Sequence, residues 1–186
     1  LNHPNIIHVI DSGTTSKNRP VFVMEFVEGD NLADSIQNRA FDFNQKVDIA
    51  IQMCKGVGYA HKFDVIHRDI KPANVIVDKE GFARLLDFGI ASFFQADKDI
   101  SPDETRLIMG TEAYMAPEQH RGISFTSTLS DIYSLGVVMY ELFTSCLPAP
   151  NNPPMASYDV NITPALENLI QQCLAIDPSE RPQSVD

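Results

Sequence analysis

Two short polar clusters stand inside one stretch, HRDIKPANVIVDKEGFARLLDFG, running from His67 to Gly89. The first is His67-Arg68-Asp69 with Lys71 and Asn74; the second is Asp87-Phe88-Gly89. Between them lie two β-rich runs, Val75-Ile76-Val77 and Ala83 to Leu86, joined by Asp78-Lys79-Glu80-Gly81. An acidic turn closing on glycine between strand formers predicts a hairpin. Such a hairpin brings Asp69, Asn74 and Asp87 to the same end. Two carboxylates and a carboxamide beside a lysine make a hard-oxygen site suited to Mg²⁺ and phosphate.

The elements that position these groups have to come from the rest of the chain. Its 186 residues are 44% hydrophobic and 21% charged, the composition of a soluble globular domain with a sizeable core. A formal net charge of −11 argues against a general nucleic-acid binder, which needs a basic face. Cys54, Cys146 and Cys173 are far apart in sequence, lack metal-ligand spacing, and read as buried thiols in a reducing compartment. No run of apolar residues is long enough to span a membrane. The chain begins at Leu1 without a leader-like segment and reads as cut from something longer.

In chain order, LNHPNIIHVI is a turn at His3-Pro4-Asn5 leading into a β-branched run. Val21 to Val27 predicts a mostly buried strand that opens into a linker at Glu28-Gly29-Asp30. Asn31 to Gln37 predicts a short helix. Asn44 to His61 predicts a longer one, capped by Asn44, with Val47, Ala50, Ile51, Cys54, Val57 and His61 on its apolar face. His8 and His61 read as structural or solvated. Residues 90 to 108 form a long irregular segment, which inside a compact domain points to function. Ser130 to Phe143 predicts a helix capped by Ser130 and apolar on nearly every face, hence buried all round. Cys146 to Pro164, rich in proline and asparagine, reads as loop. Pro164 to Leu174 is amphipathic through Leu166, Leu169, Ile170, Cys173 and Leu174.

The spacing His-Arg-Asp-x-Lys-x-x-Asn followed by Asp-Phe-Gly resembles the catalytic loop and metal motif of eukaryotic-type (Hanks-type) serine/threonine protein kinases. The resemblance extends to Gly110-Thr111-Glu112-Ala113-Tyr114-Met115-Ala116-Pro117-Glu118 and to Asp177-Pro178-Ser179-Glu180-Arg181-Pro182, the family's docking and closing motifs. Lysine two residues after Asp69 matches the serine/threonine branch, and the Pro-Ala-Asn version with Ala73 resembles its bacterial members.

The resemblance implies an α+β, protein-kinase-like fold in which residues 1–27 end the small lobe and form the hinge. Residues 28–186 then form the helical large lobe. It implies ATP and Mg²⁺ as cofactors and Ser/Thr hydroxyls of proteins as acceptors. Asp69 would orient the acceptor hydroxyl, Lys71 offset charge on the transferring group, and Thr111 hydrogen-bond both. Asn74 and Asp87 would hold the metal. Met24 would gate the back of the nucleotide pocket, the backbone of Glu25 and Val27 would meet the adenine edge, and Ile76 would form the floor beneath it. Asp131 would hold the catalytic-loop backbone from behind, and Glu118 would pair with Arg181. Arg68 implies control by phosphate on the activation loop, at Thr105 first and Ser101 second.

The family's Gly-rich loop, its third-strand lysine and that lysine's glutamate partner are not among these residues. On this reading the fragment is inactive alone, though its parent is an active kinase, cytoplasmic or membrane-anchored elsewhere. Self-association through kinase domains is the further partner expected, with no nucleic acid and no membrane contact from this segment. The alternative is a non-catalytic, pseudokinase-like binding or scaffold module. The family also places a helix between Cys146 and Pro164, an interval that looks too short to hold it.

Overall fold

A computed structural model describes residues 1–16, 20–38, 41–86, 88, 112–149, 153–158 and 162–185. Among them are four α-helices and two small antiparallel sheets. Strands β1 (Val9–Thr14) and β2 (Pro20–Met24) form a separate ribbon with an irregularity between Val9 and Asp11. The second sheet has the order β3 (Asp30–Asn31), β4 (Val75–Val77), β5 (Ala83–Leu85). Its β4–β5 pairing, Val75 opposite Leu85 and Val77 opposite Ala83, is the expected hairpin around Asp78–Gly81. The turn is fastened by Asp78, whose Oδ1 accepts from Phe82 N at 2.8 Å and from Glu80 N at 3.1 Å.

Helix α1 (Leu32–Asn38) opens on Asn31, whose Oδ1 accepts from Asp34 N at 2.9 Å. Helix α2 (Phe43–His61) is capped by Asp42 rather than Asn44: Asp42 Oδ1 accepts from Gln45 N, and the Gln45 carboxamide returns to Asp42 N. Its buried seam is Ile49, Ala50, Met53, Val57 and Ala60, while Ile51 of the expected face is exposed. Gly56 explains why the seam turned. A Cβ there would stand 2.7 Å from Leu85 Cδ1 and 2.9 Å from Asn5 O, so β5 and the Asn5 turn press against the helix at this point.

Helix α3 (Thr128–Thr144) is buried on nearly every face, as expected. Its cap is Ser127, and Ser130 is the reciprocal partner in the capping box. Helix α4 (Pro164–Cys173) buries Ile170 and Cys173 but leaves Leu169 exposed. It comes close to α3 at Gly136, where a Cβ would meet Cys173 Cβ at 2.7 Å. Between α3 and α4 the described residues hold only a 3₁₀ turn, Met155–Tyr158. Met155 is fully buried, and the Tyr158 ring meets Tyr140 edge-on at 6.0 Å.

The expectation of a mostly buried strand at Val21–Val27 fails. Strand β2 ends at Met24 and alternates, with Val21 43% and Val23 50% exposed and Phe26 beyond it 91% exposed. A two-stranded ribbon can cover only one face, and no described residue packs on the other. The three cysteines are free thiols, but Cys146 is exposed rather than buried as expected; burial pushes Cys54 up to about 11 and Cys173 up to about 12. No helix among the described residues is long and apolar enough to cross a membrane.

Candidate active site

The loop from His67 to Asn74 lies between α2 and β4 and is held from beneath by α3. Asp131, 1% exposed in the first turn of that helix, accepts from His67 N at 2.8 Å and from Arg68 N at 2.9 Å. Its Oδ2 also lies 2.8 Å from His61 Nε2 at the end of α2. One carboxylate thus ties two helices to the loop backbone. Arg68 has φ +71°, a left-handed conformation that costs a non-glycine residue roughly 1–2 kcal/mol and persists only where neighbours over-determine it. His67 is wholly buried with the Phe88 ring tilted against its own at 4.4 Å, and burial holds its imidazole below the ordinary range, hence neutral.

Asp69 is the focus of the loop. Its Oδ2 lies 2.9 Å from Lys71 Nζ and 2.9 Å from Asn74 Nδ2. Its Oδ1 is buried and accepts no hydrogen bond from any described residue. Asn74 also donates Nδ2 to Asp69 O at 2.8 Å, so both amide hydrogens are used and its carboxamide oxygen is the atom left to bind a hard cation. That donor chemistry fits Mg²⁺. Among the described residues alone, no three His, Cys, Asp or Glu side chains converge on a metal site. Asp87, Thr111, Thr105 and Ser101, all singled out from sequence, lie outside the described residues.

The residues expected to face a nucleotide come from two sheets, Met24 from the ribbon and Ile76 from β4. Met24, with Phe22, Ile6, Val65 and Phe88, lines a cavity of about 320 Å³ beneath the ribbon. Glu25 N donates to His8 O at 3.0 Å and its carboxylate accepts from His8 N at 2.9 Å. Ile76 is the half-buried residue of β4, on the face opposite Val75 and Val77.

A second polar centre supports the segment that follows residue 111. Glu118 and Arg181 pair bidentately, Nη1 to Oε1 at 2.7 Å and Nη2 to Oε2 at 2.9 Å. Arg181 also donates to the carbonyls of Ala175, Leu129 and Ile176, so all five of its N–H groups have acceptors. Ser130 Oγ adds a bond to Glu118 Oε1 at 2.8 Å. Burial pushes the Glu118 carboxyl up, but Arg181, Ser130 and a backbone N–H outweigh it and leave the group below its ordinary value. Sequence reasoning missed Ser130 in this role, and missed the Tyr114 hydroxyl, which donates to Glu141 Oε2 at 2.6 Å. It also missed Gln119, which bonds both Ala116 N and Arg68 O. An uncharged carboxamide carries no sequence signal of such a contact.

This arrangement of loop, supporting helix and ion pair defines a phosphotransferase-type fold, and comparison narrows it. The pattern of the protein kinase domain matches residues 1–186, and the chain belongs to that family. It is 39% identical to serine/threonine-protein kinase A of Synechocystis sp., over 98% of this chain and 39% of that protein. It is 34% identical to serine/threonine-protein kinase PknB of Mycolicibacterium smegmatis, over 99% of this chain and 32% of that one. Against pkn3 of Myxococcus xanthus the identity is 36%, over 100% of this chain and 38% of the relative. The crystal structure of Rad53 1-466 in complex with AMP-PNP superposes with a TM-score of 0.76 at 25% identity, covering 100% of this chain and 49% of that one. The chain therefore spans less than two fifths of the length of these curated relatives.

Proposed function

We propose that this chain is the large-lobe part of a serine/threonine protein kinase that transfers the γ-phosphate of ATP to Ser/Thr hydroxyls of proteins. Residues 1–27 supply the end of the small lobe and the hinge, and residues 28–186 the helical lobe. The observation that carries the reading is the state of Asp69. One carboxylate oxygen is held by Lys71 and Asn74, and the other is buried with no partner among the described residues. A buried acceptor with an unused lone pair is poised to receive the proton of an incoming hydroxyl, because leaving it unmade is costly. Lys71 stands where charge on the transferring group needs an opposing cation. When bound, Mg²⁺ would neutralise the phosphates; Asn74 and Asp87 would hold it. Met24, the backbone of Glu25 and Val27, and Ile76 would bound the adenine, and Thr111 would brace Asp69 and Lys71.

Polypeptide 1–186 by itself contains no Gly-rich motif and no Val-Ala-x-Lys. Alone it would bind ATP weakly and turn over negligibly, the non-catalytic reading in its simplest form. The exposed apolar face of the ribbon supports self-association. The charge of −11 supports protein rather than nucleic-acid partners, and the free thiols support a reducing cytoplasm.

The test is Asp87→Ala in a kinase domain that carries these residues together with a Gly-rich loop. Mg²⁺-dependent phosphorylation should fall about 10²-fold or more; near-normal activity would sink the assignment.

Regulation is proposed at Arg68, whose Nε is buried with no hydrogen-bond partner among the described residues. Phosphate on Thr105, or on Ser101 as second choice, would give it a bidentate acceptor. Mass spectrometry of fully active kinase should find Thr105 modified ahead of Thr111, and an unmodified loop would contradict this.

A further inference from the structure

We propose that Gln119 is a positioning residue for Asp69, clamping the peptide group immediately before it to the segment that carries Glu118. The inference rests on the phosphotransfer reading of Asp69 given above. Gln119 follows Glu118 in a 3₁₀ turn, Pro117–Arg121, and is half-buried. Its carboxamide bonds in two directions. Oε1 accepts from Ala116 N at 2.8 Å, and Nε2 donates to Arg68 O at 3.1 Å. Gln119 N in turn donates to Ala116 O at 2.9 Å, so the amide is anchored to its own turn at both ends.

The acceptor is what gives the contact its meaning. Arg68 O and Asp69 N belong to one peptide plane, and rotating that plane swings the Asp69 side chain. Arg68 is held at φ +71°, a conformation the chain would leave if released. Asp131 restrains this residue at Arg68 N, from beneath. Gln119 restrains it at Arg68 O, from the docking segment. With both in place the strained residue is held at its two polar ends. Without Gln119, the plane keeps only the long 3.3 Å bond from Asp69 N to His67 Nδ1 beside the Asp131 restraint, and the carbonyl side can turn more freely. A lysine, leucine or carboxylate at 119 could not do the same, because the role needs one acceptor and one donor on a single planar group. The position of the docking segment is thereby coupled to the position of Asp69.

Gln119→Glu separates the two arms. The carboxylate still accepts from Ala116 N, but it cannot donate to Arg68 O and sets like partial charges against each other. Two measurements are made on the kinase domain that includes a Gly-rich loop: kinetics on a serine peptide, and amide hydrogen exchange. The expected result is a kcat about tenfold lower, with KM for ATP and peptide within about twofold. The amide of Arg68 should exchange about tenfold faster and that of Ala116 at the wild-type rate. A role confined to stability would lower the melting temperature and leave kcat alone, and that outcome overturns the proposal. So does an unchanged Arg68 exchange rate. If wild-type protein transfers no phosphate, the phosphotransfer reading fails, and the exchange arm still decides the clamp. Gln119→Leu, which removes both arms, should slow turnover at least as much; wild-type turnover by that variant also overturns the proposal.

Discussion

Around His67–Asn74 polar side chains are buried, and three of their atoms, His67 Nε2, Arg68 Nε and Asp69 Oδ1, have no partner among the described residues, whereas along Val9–Met24 apolar side chains face outward. The His67–Asn74 loop is short and irregular, and it has no ladder of its own to satisfy its backbone. Asp131 supplies that function from inside a helix buried on nearly every face. Arg181, paired with Glu118, likewise satisfies the carbonyls of Leu129, Ala175 and Ile176. The ribbon has the opposite problem. Its backbone is paired, yet β1 is exposed along its whole length and Val21 and Val23 are open on β2. The contrast teaches that geometry here is fixed by buried polar groups, while the ribbon's apolar face is an unfinished surface.

Breaking the polar side should have the largest effect. Arg181→Ala leaves Glu118 buried without its cation and takes one donor away from each of three carbonyls. It should cost about 3–5 kcal/mol, read as a fall in the denaturant midpoint. A loss under about 1 kcal/mol would mean the pair is ornamental.

The same pair sets a smaller, pH-dependent effect. The folded Glu118 carboxyl lies below its ordinary value of 4.5, so its contribution is present above that pH and is lost as pH falls through the folded value. Glu118→Gln should flatten stability against pH in the region below about pH 4.5, and an unchanged slope would remove Glu118 as its source.

The ribbon should give the smallest effect. Changing Val21 and Val23 to threonine should alter stability by no more than about 0.5 kcal/mol each, since they are about half exposed. If the open face mediates association, sedimentation should show less dimer in the double variant. A large loss of stability would show that the face is covered in solution by something intramolecular.

The parts legible in the sequence were those where residue type and offset both matter. The β4–β5 hairpin follows from Asp78–Gly81 and its flanking strand formers. The all-round burial of α3 follows from its composition. Helix starts were less legible, because Asp42 and Asn44, or Ser127 and Ser130, are equally good caps by type; geometry chose the earlier one each time. Exposure of Ile51, Leu169 and β2 was not legible, since periodicity reports which side chains share a face but not whether anything covers it. In the site, Asp69, Lys71 and Asn74 are charged or chelating and draw notice from sequence. Gln119 and Ser130 are uncharged side chains that act through hydrogen bonds, and they do not.

The most direct test of the account is Asp69→Asn, assayed in a kinase domain that includes the Gly-rich loop, with kcat and ATP affinity measured on the same sample. The carboxamide keeps the size of the side chain and the neighbouring Lys71 and Asn74, but it no longer offers a basic oxygen at the position that is buried with no partner among the described residues. The account predicts a kcat lower by about 10²-fold or more with ATP binding unchanged. A variant that turns over at close to the wild-type rate, or one that loses ATP affinity in proportion to activity, would contradict it.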